Sequence, residues 1–235
     1  RNSNMLIGAT GRIMDSNSCN QPRFSVARRI KSTTRSLSGV FAFRGQGVAF
    51  ESMLERDFLS RMDFRKDVLT VVSQPVQLDF VARSGRSYTY TPDYLVHFHS
   101  HTHLRPMLVE VKPAENWREN WRDLLPKWKA ALRYAKERGW RFHIYDESRI
   151  RGQSLKNIQY LERFKNADYA DQDLDAIIRT VAFKGIASIS YLVALHFQGA
   201  EALGKSHIFH LIATRQLDCD ISGPLSDSLE VMVAE

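Results

Sequence analysis

The sequence predicts a two-part α/β protein, a first unit that runs helix, three strands, helix, strand, followed by a second that is mostly helical. Three observations carry this. Apolar residues recur at helical spacing over 49–62 (Phe50, Met53, Leu54, Phe58, Leu59, Met62) and over 117–135 (Trp117, Trp121, Leu124, Leu125, Trp128, Leu132, Ala135). Between them lie three runs rich in β-branched and aromatic residues: VLTVVSQPVQLDFV (68–81), RSYTYTPDYLVHF (86–98) and MLVEV (107–111). From about residue 150 the pattern turns helical and closes on two short strand-like runs, LDCDI and LEVMV, joined by SGPLSDS.

The elements follow in order. Residues 1–46 are rich in Ser, Asn, Thr, Gly and Arg with little periodicity, and read as a flexible basic arm. Gly85 marks a turn between the first two strand runs, and HSHTHLRP (99–106) makes the next. Gly139 is a fitting stop for the second helix, which Pro126 should kink or break. WRFHIYDE (140–147) supplies the last strand of the first unit. The predicted divisions are therefore an arm at 1–46, an α/β unit at 47–150 and a helical unit at 151–235. Helices followed by a small β-hairpin give the second unit a winged-helix-like outline.

Composition narrows the partners. The net charge is +7, and residues 1–49 carry all of it, with eight Lys/Arg against Asp15 alone. A polyanion is the natural partner of such an arm, with Arg28, Arg29, Lys31, Arg35 and Arg44 as phosphate contacts. Residues 151–235 are slightly acidic, eight basic against eleven acidic side chains, which favours a protein partner there. Cys19 and Cys219 are the only cysteines, so neither a disulfide framework nor a zinc knuckle is expected. That suits a reducing cytoplasm. The most apolar stretch, GIASISYLVALHF (185–197), is too short to span a membrane and reads as a buried helix. The start at Arg1 predicts a trimmed or processed chain.

The chemistry gathers around LVEVKP (108–113). Strand side chains alternate, so Glu110 and Lys112 share a face roughly 6.5–7 Å apart, while Val111 points the other way. Asp93 follows Pro92 late in the preceding strand, so the two carboxylates meet at one end of the sheet. Converging carboxylates repel unless a cation compensates, and Mg²⁺ is content with a couple of them plus water and phosphate oxygens. Lys112 beside them would orient or help deprotonate a water and offset charge developing on phosphate. The first helix offers another acid. Glu51 and Glu55 fall about 40° and 80° from its mean apolar direction, so the wheel slightly favours Glu51 for burial without deciding between them.

Pro92-Asp93 followed by Glu110-Val111-Lys112 resembles the PD-(D/E)XK nuclease superfamily. More narrowly, ESMLERDFL (51–59), SQPVQL (73–78), TPDYLV (91–96) and VEVKP (109–113) resemble the TnsA endonuclease subunit of heteromeric cut-and-paste transposons. The resemblance extends over roughly residues 40–235. It implies a mixed sheet flanked by helices, and a Mg²⁺-dependent DNA endonuclease, with Mn²⁺ as substitute, that cuts the non-transferred strand at the 5′ transposon ends. It implies Asp93 and Glu110 as metal ligands with the Val111 carbonyl, Lys112 as support for the nucleophilic water, and Glu55 as the helix acid. The implied partners are transposon-end duplex DNA, a DDE transposase subunit (TnsB-like) and an AAA+ ATPase regulator (TnsC-like), with no membrane. The implied location is the bacterial cytoplasm, on the nucleoid when acting. Two rival readings are a stand-alone restriction or repair nuclease and a catalytically silent assembly subunit.

Two other features have plainer readings. HFHSHTH (97–103) sets four histidines at alternate positions, but no cysteine or further carboxylate is local, so a solvated turn is expected. Trp117, Trp121 and Trp128 at helical spacing read as the packing face of the second helix. Its basic residues, Arg118, Arg122, Lys127, Lys129 and Arg133, include candidate phosphate contacts, with a solvated face as the default reading.

Overall fold

The computed structural model describes residues 37–234. Arg28, Arg29, Lys31 and Arg35, offered above as phosphate contacts, lie outside the described residues, as does Cys19.

The described chain begins with a hairpin where the arm was expected to continue. Strands β1 (Gly39–Phe43) and β2 (Gln46–Phe50) pair antiparallel around Arg44-Gly45. Both turn residues have positive φ, 47° and 81°, which is how a two-residue hairpin turn matches the twist of its strands. Phe43, Val48 and Phe50 are buried, so this hairpin belongs to the core rather than to an arm. The first helix accordingly starts later than its apolar spacing suggests. α1 (Met53–Phe64) is capped by Ser52, whose hydroxyl accepts from the Glu55 N–H at 3.2 Å.

The two long strand runs each divide. The first gives β3 (Val68–Ser73) and β4 (Leu78–Val81); the second gives β5 (Ser87–Tyr90) and β6 (Tyr94–Phe98). Gln74-Pro75 and Pro92-Asp93 sit at the breaks, because a proline donates no ladder hydrogen bond. β4 and β5 form a separate two-stranded ribbon. β3 and β6 enter a four-stranded sheet, order β3-β6-β7-β8, with β7 (Met107–Val111) and β8 (Arg141–Tyr145). The sheet is mixed: β3–β6 and β6–β7 are antiparallel, β7–β8 parallel. The parallel pair is joined by α2 (Ala114–Glu137), so the first unit is α/β as expected.

Period-2 alternation sends the two faces of the sheet to different partners. Met107, Val109 and Val111 face α1 and the β1–β2 hairpin. Leu95 and Leu108 face Trp128, Ala131 and Ala135 of α2. The backbone of α2 runs on through Pro126, and its non-helical residue is Asn120, six positions earlier.

α3 (Glu147–Ile150) and α4 (Gln153–Lys165) lead into the second unit: α5 (Asp171–Lys184), β9 (Ile186–Ser188), α6 (Ile189–His196), α7 (Glu201–Ala213), β10 (Leu217–Cys219) and β11 (Glu230–Val233). Its strands form an antiparallel sheet, order β10-β11-β9. The apolar stretch at 185–197 thus supplies a short strand as well as a helix. Among the described residues no helix is long and apolar enough to cross a membrane.

Candidate active site

The break between sheet and ribbon brings the candidate residues together. β6 begins immediately after Asp93, so this carboxylate sits at the mouth of the split, opposite the end of β7. Its Oδ2 accepts from the Val111 N–H at 2.7 Å. Glu110, buried at 3 % exposure, faces the α2 side of the sheet with Leu108. One of its oxygens accepts from the Tyr90 hydroxyl at 2.6 Å, and the other from the Lys127 ammonium at 2.7 Å. The ammonium also lies 4.4 Å from the Tyr90 ring centroid.

Glu55 approaches from the other side. Its oxygens accept from the Ser52 hydroxyl at 2.9 Å, the Glu51 N–H at 2.8 Å and the Tyr94 hydroxyl at 3.2 Å. This variant of the capping box locks the side chain in the first turn of α1. Glu51 precedes the helix, so a helical wheel does not govern it; its carboxylate accepts from the Gln74 amide at 3.1 Å.

The electrostatics show what this costs. Burial pushes the Asp93 carboxyl well above its ordinary value, and the neighbouring charges of Glu110 and Glu55 push it further. The Val111 N–H and the Lys127 ammonium pull in the opposite direction. Glu55 is raised too, first by burial and least by Glu51, while its three hydrogen bonds oppose the rise. Tyr90 and Tyr94 are both pushed up by burial and next by the acid each one bonds, so they stay neutral donors. The site therefore gathers more buried carboxyl groups than one ammonium can offset once they ionise, which favours binding of a cation.

Among the described residues, no three His, Cys, Asp or Glu side chains close into a metal cage. Mg²⁺ does not require one, since a carboxylate or two with water and phosphate oxygens completes its shell. Each oxygen of Glu110 also keeps a second lone-pair position beside its present hydrogen bond. The donor set fits such an ion.

Lys112 falls differently from expectation. Its backbone N–H donates to the Tyr145 carbonyl at 2.9 Å, and its half-buried side chain forms no ion pair among the described residues. The ammonium that touches Glu110 is that of Lys127, placed on a solvated face by the sequence reading. Arg44, the only proposed phosphate contact within the described residues, turns its guanidinium to the carbonyls of Val68, Asp63 and Arg65, and so ties the first hairpin to the end of α1.

Gln74 is the other residue the sequence reading missed. It is 9 % exposed and left-handed, φ 48°, and its N–H donates to the Asp93 carbonyl at 2.7 Å. The Glu51 carboxylate fixes which end of its amide is nitrogen, and the buried amide oxygen has no hydrogen-bond partner among the described residues. A left-handed non-glycine residue with an orphaned buried acceptor, beside the acids, is the kind of local cost that marks functional sites.

Residues 65–147 match the family model of the TnsA-like endonuclease N-terminal domain. Over those residues the chain is similar to a TnsA-like endonuclease domain. No curated protein matches the chain. The matched span contains Gln74, Tyr90, Asp93, Glu110, Lys112 and Lys127; Glu51 and Glu55 precede it. The match gives the carboxylates a context, that of an endonuclease domain. The histidine run has a structural place instead. His97 is half-buried against Trp140, His99 and His101 stack at 5.3 Å, and burial lowers His97.

Proposed function

We propose that this protein is the DNA endonuclease subunit of a transposase, cleaving the non-transferred strand at the 5′ ends of the element with Mg²⁺ as cofactor and Mn²⁺ as substitute. The observation that carries the reading is Asp93: a carboxylate buried between Glu110 and Glu55, at the mouth of a split sheet, within a TnsA-like domain. Asp93 and Glu110 would hold the metal, with the Val111 carbonyl as a further ligand. The ion would supply a deprotonated water and charge compensation at the phosphate.

The chain's own groups do the rest. Lys127 and Tyr90 fix Glu110 from both oxygens, so its direction is set before any ligand arrives. The Val111 N–H does the same for Asp93. Glu55, held by Ser52, Glu51 and Tyr94, adds the third charge of the site. Lys112, at the same strand end and free of other ion pairs among the described residues, is positioned to move toward the attacking water or the phosphate. In-line attack would leave a 5′-phosphate and a 3′-hydroxyl.

The second unit runs helix, strand, helix, helix, strand, strand, an order that supports a winged-helix assignment. Its exposed apolar side chains, Phe183 at 93 %, Ile186 and Met232, together with its acidic balance, support docking of protein partners, a TnsB-like DDE transposase and a TnsC-like AAA+ ATPase.

The test is strand-resolved cleavage of a labelled transposon-end duplex with Mg²⁺ and the partner subunits, comparing the parent chain with Asp93→Ala. The expected result is loss of the 5′-strand cut alone, with 3′ cutting by the partner retained. Wild-type cutting by the variant would remove Asp93 from the active site, and the assembly-subunit reading would replace this one.

A further inference from the structure

A groove of about 720 Å³ lies between the β4–β5 ribbon and α2. One wall is Phe80 to Arg83 of the ribbon; the other carries Trp121, Arg122, Lys129 and Arg133. Its four cations, Arg83, Arg122, Lys129 and Arg133, are all exposed, and no acidic residue lines it. None of the four has a carboxylate partner among the described residues, although ion pairs are common elsewhere on the same surface. Arg122 instead stacks over the half-exposed Trp121 ring at 5.2 Å. Unpaired cations on both sides of one groove, with an aromatic surface between them, suit a phosphodiester backbone.

The position of the groove says which anion. Its two walls are the two elements that hold Glu110: the ribbon supplies Tyr90 and α2 supplies Lys127. Along α2, Lys129 stands about 3 Å and Trp121 and Arg133 about 9 Å from the level of Lys127, at 1.5 Å per residue. At 100° per residue Arg122, Lys129 and Arg133 fall on the opposite side of α2 from Lys127, so the helix that orients Glu110 on one side carries the groove cations on the other.

We propose that this groove is the track for the DNA flanking the cut, with Arg83 on one wall and Arg122, Lys129 and Arg133 on the other contacting backbone phosphates. The proposal rests on the nuclease reading above and adds where the duplex lies. The contacts position the duplex without reading bases, so they act on any sequence. Ribbon and helix would then have two tasks, orienting Glu110 on one side and gripping the flank on the other.

The experiment measures binding of a fluorescein-labelled duplex of mixed sequence to the full chain, in EDTA so that nothing is cut, as salt is varied. Each phosphate contact contributes about −0.9 to the slope of log K against log salt. Arg122→Gln with Lys129→Gln should weaken binding and flatten the slope by about 1.8, and Arg83→Gln alone, on the opposite wall, by about 0.9. Arg179→Gln, an exposed cation on α5, should leave both unchanged. These side chains are exposed, so the variants should melt with the parent; if the double variant does not fold, Arg83→Gln decides. Parent-like slopes in the groove variants, while the parent binds and cuts, would overturn the track and leave the nuclease reading intact; an acidic protein face would then be the occupant. A parent chain that binds no duplex would overturn both.

Discussion

The two halves of this protein handle buried polarity in opposite ways. In the second unit the core is apolar: Ile177, Leu192, Ile208 and Leu211 are fully buried, Asn157 donates to backbone carbonyls, and His207 bonds the Leu203 carbonyl with the half-exposed Asp173 carboxylate 3.8 Å from its other ring nitrogen. In the first unit the split between sheet and ribbon gathers Asp93, Glu110 and Glu55 with one ammonium among them. The second pattern is what packing alone produces. The first lowers stability unless a ligand compensates for it, so its presence is evidence of work done at that edge.

The sharpest way to break the comparison is to remove the charge at its centre. Asp93→Asn keeps an acceptor for the Val111 N–H and removes the carboxylate. Cutting should fall by at least about a thousandfold, the scale at which one preorganised electrostatic group contributes. Chemical unfolding of the metal-free variant should show it more stable than the parent. Loss of cutting with loss of stability would mean that Asp93 is an ordinary packing residue.

Lys127→Met tests the one compensating charge. It leaves Glu110 buried and unpaired, which should cost about 3–5 kcal/mol in metal-free protein. Added Mn²⁺ should recover part of that loss, because the ion supplies the missing positive charge. A cost that metal does not touch would confine Lys127 to structure. In the second unit, Ile208→Ala should cost about 2–5 kcal/mol by cavity formation, with no such recovery by metal. Denaturant titrations with and without Mn²⁺ read both.

This contrast also explains what the sequence revealed. Asp93 and Glu110 were legible because a proline and an apolar strand fix where each side chain falls. Lys127 and Tyr90 were not, since their contacts with Glu110 span 17 and 20 residues and depend on how α2 and the ribbon pack. On the helix, Lys127 has the spacing of a solvated cation. Trp121 has the spacing of a packing residue, yet is exposed beside the groove, while Trp128 is buried. Other signals were present and unused. Ser52-x-x-Glu55 is a capping box that places the start of α1 at 53 rather than 49. Arg44-Gly45 between the apolar runs 40–43 and 48–50 marks the first hairpin, and Pro75 and Pro92 mark the breaks of the long strands. In the second unit the helical majority and the two closing strands followed from composition and period, because there local preference and tertiary packing agree, whereas β9 inside the apolar stretch 185–197 did not.

The pH dependence of stability follows from the same acids. Asp93 in the folded chain holds its proton above the ordinary 3.8, and Glu55 above the ordinary 4.5. A raised carboxyl means that the folded state binds protons the unfolded state has released. Stability of the metal-free protein therefore falls as pH rises from those ordinary values through the raised ones. Urea midpoints from weak acid to neutral pH should decline in the parent and decline less in Asp93→Asn. Parallel declines would place the responsible groups elsewhere.

Gln74 offers the smallest change in stability and the finest distinction. Gln74→Met loses a hydrogen bond to the Glu51 carboxylate but also removes the orphaned amide oxygen, two effects of about 1–3 kcal/mol with opposite signs. Net stability should change by less than about 1 kcal/mol. If that oxygen is kept unpaired for a metal-bound water, Mn²⁺ affinity should still fall about 10–100-fold, as it does when an outer partner of a metal site is lost. Binding followed by calorimetry separates the outcomes without any cleavage assay. Unchanged affinity in a folded Gln74→Met would reduce the left-handed Gln74 to a hinge between sheet and ribbon. Weakened affinity at unchanged stability would extend the contrast between the two halves to a single amide oxygen, one that folding leaves unsatisfied and ligand binding completes.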